Sequence, residues 1–192
     1  SVTLGKYILP PYEETFESED NFMLYKAVNA QGRTMTWNYN SYQKVVCSPY
    51  GDPGYAADDW FITPAIKLEK DKVYRLTFFA RSILSSYIER LEVRYGSSAD
   101  ISSLNKALLD PTDVPYDRSK ANFSCELKSD RDQVIYIGFH SCSEADKYYM
   151  QLDNISIDKG MSVLSPAAVT DGKAVADASA ALSATVSFKA PE

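Results

Sequence analysis

From Val73 to Arg81 (VYRLTFFAR) apolar and polar residues exchange places at almost every step, with Tyr74, Leu76, Phe78 and Ala80 on one face and Arg75, Thr77 and Arg81 on the other. Successive side chains of a strand point to opposite sides, so this period of two marks an extended chain with one face buried. The pattern returns in 88–95 (IERLEVRY), where Leu91, Val93 and Tyr95 oppose Arg90, Glu92 and Arg94 and Gly96-Ser97-Ser98 ends the run at strand length. It returns again in 133–140 (QVIYIGFH), with Ile135, Ile137 and Phe139 inward, and in 148–157 (YYMQLDNISI). Strands that are apolar on one side only must bury that side against another layer. The expected fold is therefore all-β: a jelly-roll sandwich of two antiparallel sheets with one short helix.

Composition agrees, since 14 Tyr, 8 Phe and 2 Trp suit pleated, half-buried surfaces. Residues 1–60 are punctuated by Pro10-Pro11, Gly32, Pro49, Gly51, Pro53 and Gly54 and read as short strands and long loops. Over 100–109 (DISSLNKALL) Asp100 is a candidate cap, and Ile101, Leu104, Ala107 and Leu108 recur at three and four, which predicts the helix there. Pro111 and Pro115 then mark a polar loop running to about Lys120. The short polar stretch Ser141 to Lys147 predicts that 133–140 and 148–157 form a hairpin or lie close together. At Lys159-Gly160 the composition shifts, and 161–192 is rich in Ala, Ser and Val with no Tyr or Trp. The expected division is a domain over 1–160 and a separate segment over 161–192, in which 182–188 (LSATVSF) alternates like a strand.

The net charge of −6 opposes binding to a phosphate backbone, and no apolar run approaches the roughly 20 residues that span a bilayer. Ser1-Val2-Thr3 does not open a signal peptide, so the chain reads as a mature or excised piece. Cys47, Cys125 and Cys142 have no metal-ligand spacing; their odd number allows at most one disulfide, and the expected reading is two or three buried free thiols. A single histidine, His140, removes most zinc and triad chemistry. Glu13-Glu14 and Glu17-Glu19 read as solvated acids, and a His140–Cys142 pair lacks a third group and an oxyanion hole. Catalysis is not expected.

Several blocks, in order, carry a resemblance: YEETFES at 12–18, DDWFITPAI at 58–66, FFARS at 78–82, ERLEV at 89–93, VIYIGFHSCS at 134–143 and YYMQLDNISI at 148–157. Together they resemble the cleaved-adhesin, or choice-of-anchor J, modules of gingipain-type haemagglutinins and of Bacteroidetes surface proteins. The resemblance implies a jelly roll, export to the extracellular or outer-membrane surface, and a structural calcium in many members. Residues 163–192 resemble the opening strands of a fibronectin type III domain, which implies a piece of a larger modular protein.

On the resemblance, Glu17 and Asp153 match positions where carboxylates of the first and last strands converge on calcium, with Asn29 and Asp58 as further oxygen donors. Independently, the apolar set Met150, Leu152, Ile155, Ile157 slips by one at Asp153-Asn154, which predicts a bulge. For ligand binding, Trp37, Tyr39, Tyr42, Tyr50 and Tyr55 lie beside Asn38, Asn40 and Gln43, the mixture of rings and amides that holds sugars. The expected function is a monomeric, non-catalytic adhesion module for a host protein or glycan. The alternatives are a carbohydrate-binding module of a polysaccharide-processing protein, or a structural spacer.

Overall fold

The computed structural model describes residues 7–32, 35–50, 53–162, 173–176 and 184–187. The chain divides into two compact units, Ser1–Ser162 and Val163–Glu192. The first is a sandwich whose named strands pair antiparallel, with one isolated parallel bridge between Ile8 and Ile66. Its first sheet orders β10 (Asn122–Ser129), β7 (Lys72–Ser82), β12 (Met150–Ile157), β4 (Val45–Cys47) and β3 (Asn38–Asn40), with β1 (Tyr12–Glu14) beside β12 and β13 (Met161–Ser162) beside β7. The second orders β2 (Lys26–Asn29), β5 (Asp59–Ile62), β11 (Gln133–Ser141), β8 (Glu89–Gly96) and β9 (Lys106–Val114), with β6 (Ile66–Leu68) also on β11.

The alternating faces named from sequence close on one another. Leu76, Phe78 and Ala80 of β7 meet Leu91 and Val93 of β8 and Ile135, Ile137 and Phe139 of β11 in one buried cluster. Phe61 of β5 sits among four rings, stacked on Tyr25 at 4.7 Å and Phe22 at 5.3 Å and tilted to Trp37 at 5.8 Å and Phe16 at 6.0 Å. Aromatic enrichment thus fills the space between sheets, each pair adding on the order of 1 kcal/mol beyond its buried area.

Three expectations require correction. The short helix is α1 (Glu19–Phe22), capped by Ser18, and not 100–109. There, only Ile101–Ser103 makes a single 3₁₀ turn, and Asp100 gives no side-chain cap. Leu104 is drawn into a small cluster with Trp60 and Ile62, whereas Leu108 and Leu109 pack against the main core, and one helical stripe cannot serve two cores. Pro111 lies inside β9 and not in a loop, because β9 is a sheet edge where a missing N–H breaks no ladder. Finally, β11 and β12 do not pair: β11 runs between β5 and β8 in the second sheet, and β12 between β7 and β4 in the first. The polar 142–149 segment is a crossing between layers, tied down by Cys142 N–H to Arg90 O and Ala57 N–H to Ser143 O.

The predicted bulge is present, with the β12–β7 register shifting between Asp153 and Ser156 and Asn154 at φ 49°. In the second unit, β14 (Lys173–Ala176) pairs antiparallel with β15 (Ala184–Ser187), which falls within the alternating LSATVSF run. The rest of the fibronectin-like stretch lies outside the described residues.

Candidate functional site

Inward residues of β12 are Met150 and Leu152, so Tyr149, Gln151 and Asp153 belong to its outer side. Gln151 lies opposite Arg81 of β7 and Cys47 of β4, and Cys47 opposite Asn38 of β3. A chain of side-chain hydrogen bonds runs along this row. The Arg81 Nε–H donates to Gln151 Oε1 at 3.0 Å, and Gln151 Nε2 donates to Gln43 Oε1 at 2.8 Å. Gln43 is held in turn by Asn40 Nδ2 at 3.1 Å, while Asn40 Oδ1 accepts the N–H groups of Tyr42 and Gln43 and fixes the turn. Gln151 is buried although fully polar, because this chain satisfies it at both ends.

Tyrosines border the row. Tyr148 is edge-on to Tyr50 at 5.3 Å and tilted to Tyr149 at 4.6 Å. Burial, with Cys47 and Tyr148 nearby, pushes the Tyr149 phenol up, against an opposing pull from Arg81. Burial also raises the Cys47 thiol to about 11, so it sits in the face as a neutral group. Behind the tyrosines, Ser143 Oγ donates to buried Glu89 at 2.5 Å, and the Tyr148 backbone also hydrogen-bonds that carboxylate. Burial nonetheless holds the Glu89 carboxyl above its usual range.

The outer side of the second sheet is covered. The 97–104 segment lies across it, with Leu104 against Trp60, so close to Gly138 that an added Cβ would stand 2.6 Å from Leu104 Cδ1. Beside this lid His140 stacks on Trp60 at 4.1 Å, its Nε2 3.0 Å from Asp58 Oδ1 and its Nδ1 3.0 Å from Glu92 Oε2. Arg94 closes the set on Glu92 at 2.6 Å. Burial works against the Glu92 charge, but Arg94 and His140 outweigh it and hold the carboxyl below its usual range.

No family profile and no curated protein matches the sequence. Among solved structures, the K1 cleaved adhesin domain of Lys-gingipain from Porphyromonas gingivalis W83 is 23% identical, covering 77% of this chain and 96% of its own, with a TM-score of 0.59. This is the cleaved-adhesin fold. The K3 domain of the same protein gives 20% identity, coverage of 77% and 96%, and a TM-score of 0.58. The second N-terminal cellulose-binding domain of Cellulomonas fimi β-1,4-glucanase C gives 12%, coverage of 84% and 99%, and 0.53.

On this cleaved-adhesin fold the five aromatics expected to meet ligand separate. Trp37 is 2% exposed, and its indole N–H donates to Asp59 O, so it belongs to the core and not to a binding surface. Tyr39 also faces inward: it stacks on Phe22 and donates its hydroxyl to Phe16 O at 2.8 Å. Tyr42 is 95% exposed on the turn that carries Gln43, and Tyr50 is exposed beside Tyr148. Tyr55 is exposed next to Gly54, whose N–H donates to Asp146 of the 142–149 crossing.

The expected calcium ligands each have a protein partner. Glu17 takes Lys44 at 2.6 Å, Asn29 donates to Met35 O, Asp58 meets His140, and Asp153 accepts the Asn154 N–H at 2.8 Å. Burial raises the Asp153 carboxyl, and neighbouring Glu17 and Glu14 add to that. Among the described residues no three His, Cys, Asp or Glu gather to hold a metal. Arg81, Tyr148, Tyr149 and Gln151 of this face are not among the residues expected from sequence to meet a ligand. Their signal was available, since Tyr149 and Gln151 alternate with the apolar Met150 and Leu152.

Proposed function

We propose that this chain is a non-catalytic, extracellular binding module that holds a carbohydrate on the outer face of its first sheet. One observation carries this reading: a fixed row of guanidinium and amide groups, Arg81–Gln151–Gln43, lies alongside the contiguous rings of Tyr149, Tyr148 and Tyr50. Rings offer an apolar plane to the C–H face of a pyranose, while amides donate to and accept from its hydroxyls. Because the amides are already locked to one another, little ordering entropy remains to be lost on binding. The likeness of fold to adhesin and cellulose-binding domains supports a binding role outside the cell.

A glycan array followed by calorimetry tests this. Tyr149→Ala is expected to weaken the best glycan by about 2 kcal/mol, roughly 30-fold in Kd. A silent array, with retention of the module on immobilised host proteins, would replace the carbohydrate by a protein partner.

A further inference from the structure

Resting on the carbohydrate reading, we propose that the sugar bound on this face is acidic, bearing a carboxylate or a sulfate ester that pairs with Arg81. Among the described residues Arg81 has no carboxylate within ion-pair distance, and its Nε is anchored by the neutral oxygen of Gln151. The other half-buried arginines of the sandwich are answered: Arg90 by Asp113 at 3.3 Å and Arg94 by Glu92 at 2.6 Å. In a chain of net charge −6, an unanswered, half-buried cation is the exception.

The geometry also fits an oxyanion. With Nε spent on Gln151, the terminal N–H groups of the guanidinium form the free end of a planar fork, which matches two oxygens of one carboxylate or sulfate. Gln151 is itself pinned by Gln43, so the fork is held in place before ligand arrives. A second cation stands on the same side of β7: Arg118 lies over the ring of Phe79 at 4.9 Å, and Phe79 is two residues before Arg81. Arg118 already feels the Asp153 carboxylate, so Arg81 is the guanidinium that a neutral sugar would leave without a counter-charge.

The test measures calorimetric affinity of the whole chain for four probes: an oligogalacturonate, the same oligomer with its carboxyls reduced to alcohols, a heparin-derived sulfated oligosaccharide, and a polyglutamate peptide. Each is measured at low and high NaCl. The expected result is that a carboxylated or sulfated oligosaccharide binds at least ~10-fold more tightly than the reduced oligomer, and that this advantage shrinks with salt. Preference between carboxylated and sulfated probes then identifies the oxyanion. Arg81→Gln is expected to bring the acidic oligomer down to the reduced one, and Arg81→Lys to restore only part of the difference.

Equal, salt-independent binding of acidic and reduced oligomers would overturn the charge assignment while leaving carbohydrate binding intact. Failure to bind any oligosaccharide would overturn both, and polyglutamate binding as tightly as the uronate would overturn the sugar. Should Arg81→Gln fail to fold, as circular dichroism would report, the wild-type comparison of acidic with reduced oligomer decides alone.

Discussion

On the outer face of the second sheet the charged groups beside the lid formed by 97–104 answer one another: Arg94 has Glu92, and His140 has both Glu92 and Asp58. On the outer face of the first sheet Arg81 has only an amide oxygen. Both faces arise from the same strand alternation, so periodicity alone does not decide what a face is for. Closure does. Where polar groups satisfy one another under a covering segment, the face stabilises the fold; where they are oriented but left unpaired, it is ready for something else.

Mutations that open the closed face should cost most. Gly96 allows the chain to turn into the lid, and a Cβ there would stand 1.9 Å from the Ser103 carbonyl oxygen. Gly96→Ala is expected to destabilise by about 3 kcal/mol in urea unfolding, with a red-shifted Trp60 emission as the lid lifts. Glu92→Gln leaves Arg94 and His140 with a neutral partner and is expected to cost about 2 kcal/mol near neutral pH. Since folding lowers the Glu92 pKa, its stabilisation is present above the ordinary glutamate value and is lost as pH falls through the lowered one. Stability profiles of wild type and variant should therefore converge in acid.

Glu89 runs the opposite way. Folding favours its protonated form, so its contribution weakens as pH rises from the ordinary value through the raised one. Carboxyl ¹³C titration should show the two glutamates displaced in opposite directions. Smallest of all, Arg81→Gln should change unfolding free energy by no more than about 0.5 kcal/mol, because it breaks no ion pair. A loss approaching that of Glu92→Gln would mean that Arg81 belongs to a closed network after all.

The long alternating runs were legible because their inward positions are large and apolar: Leu76 and Phe78, Leu91 and Val93, Ile135 and Phe139. β10 was not, since its buried positions are Cys125, Leu127 and Ser129, and two of those three read as polar or neutral. Ile101, Leu104 and Leu108 imitate helical spacing by serving separate clusters on the two sides of one sheet. For the candidate site, Tyr42 and Tyr50 could be named, but Trp37 and Tyr39 could not be told from them. In a region of three- and four-residue strands, too few residues alternate to say which side faces in.

The extra residue in β12 bears on how the module tolerates change. Met150 and Leu152 point inward before it and Ile155 and Ile157 after it, so one strand keeps its apolar side buried across a change of phase. Deleting Asn154 would force a choice. Either the Tyr149–Gln151 end stays outward and Ile155 and Ile157 are thrown into water beside β1, or the seam to β1 stays dry and Gln151 is driven among the packed rings. Relatives that vary freely in their rim loops should therefore be intolerant of any one-residue length change between Gln151 and Ile157.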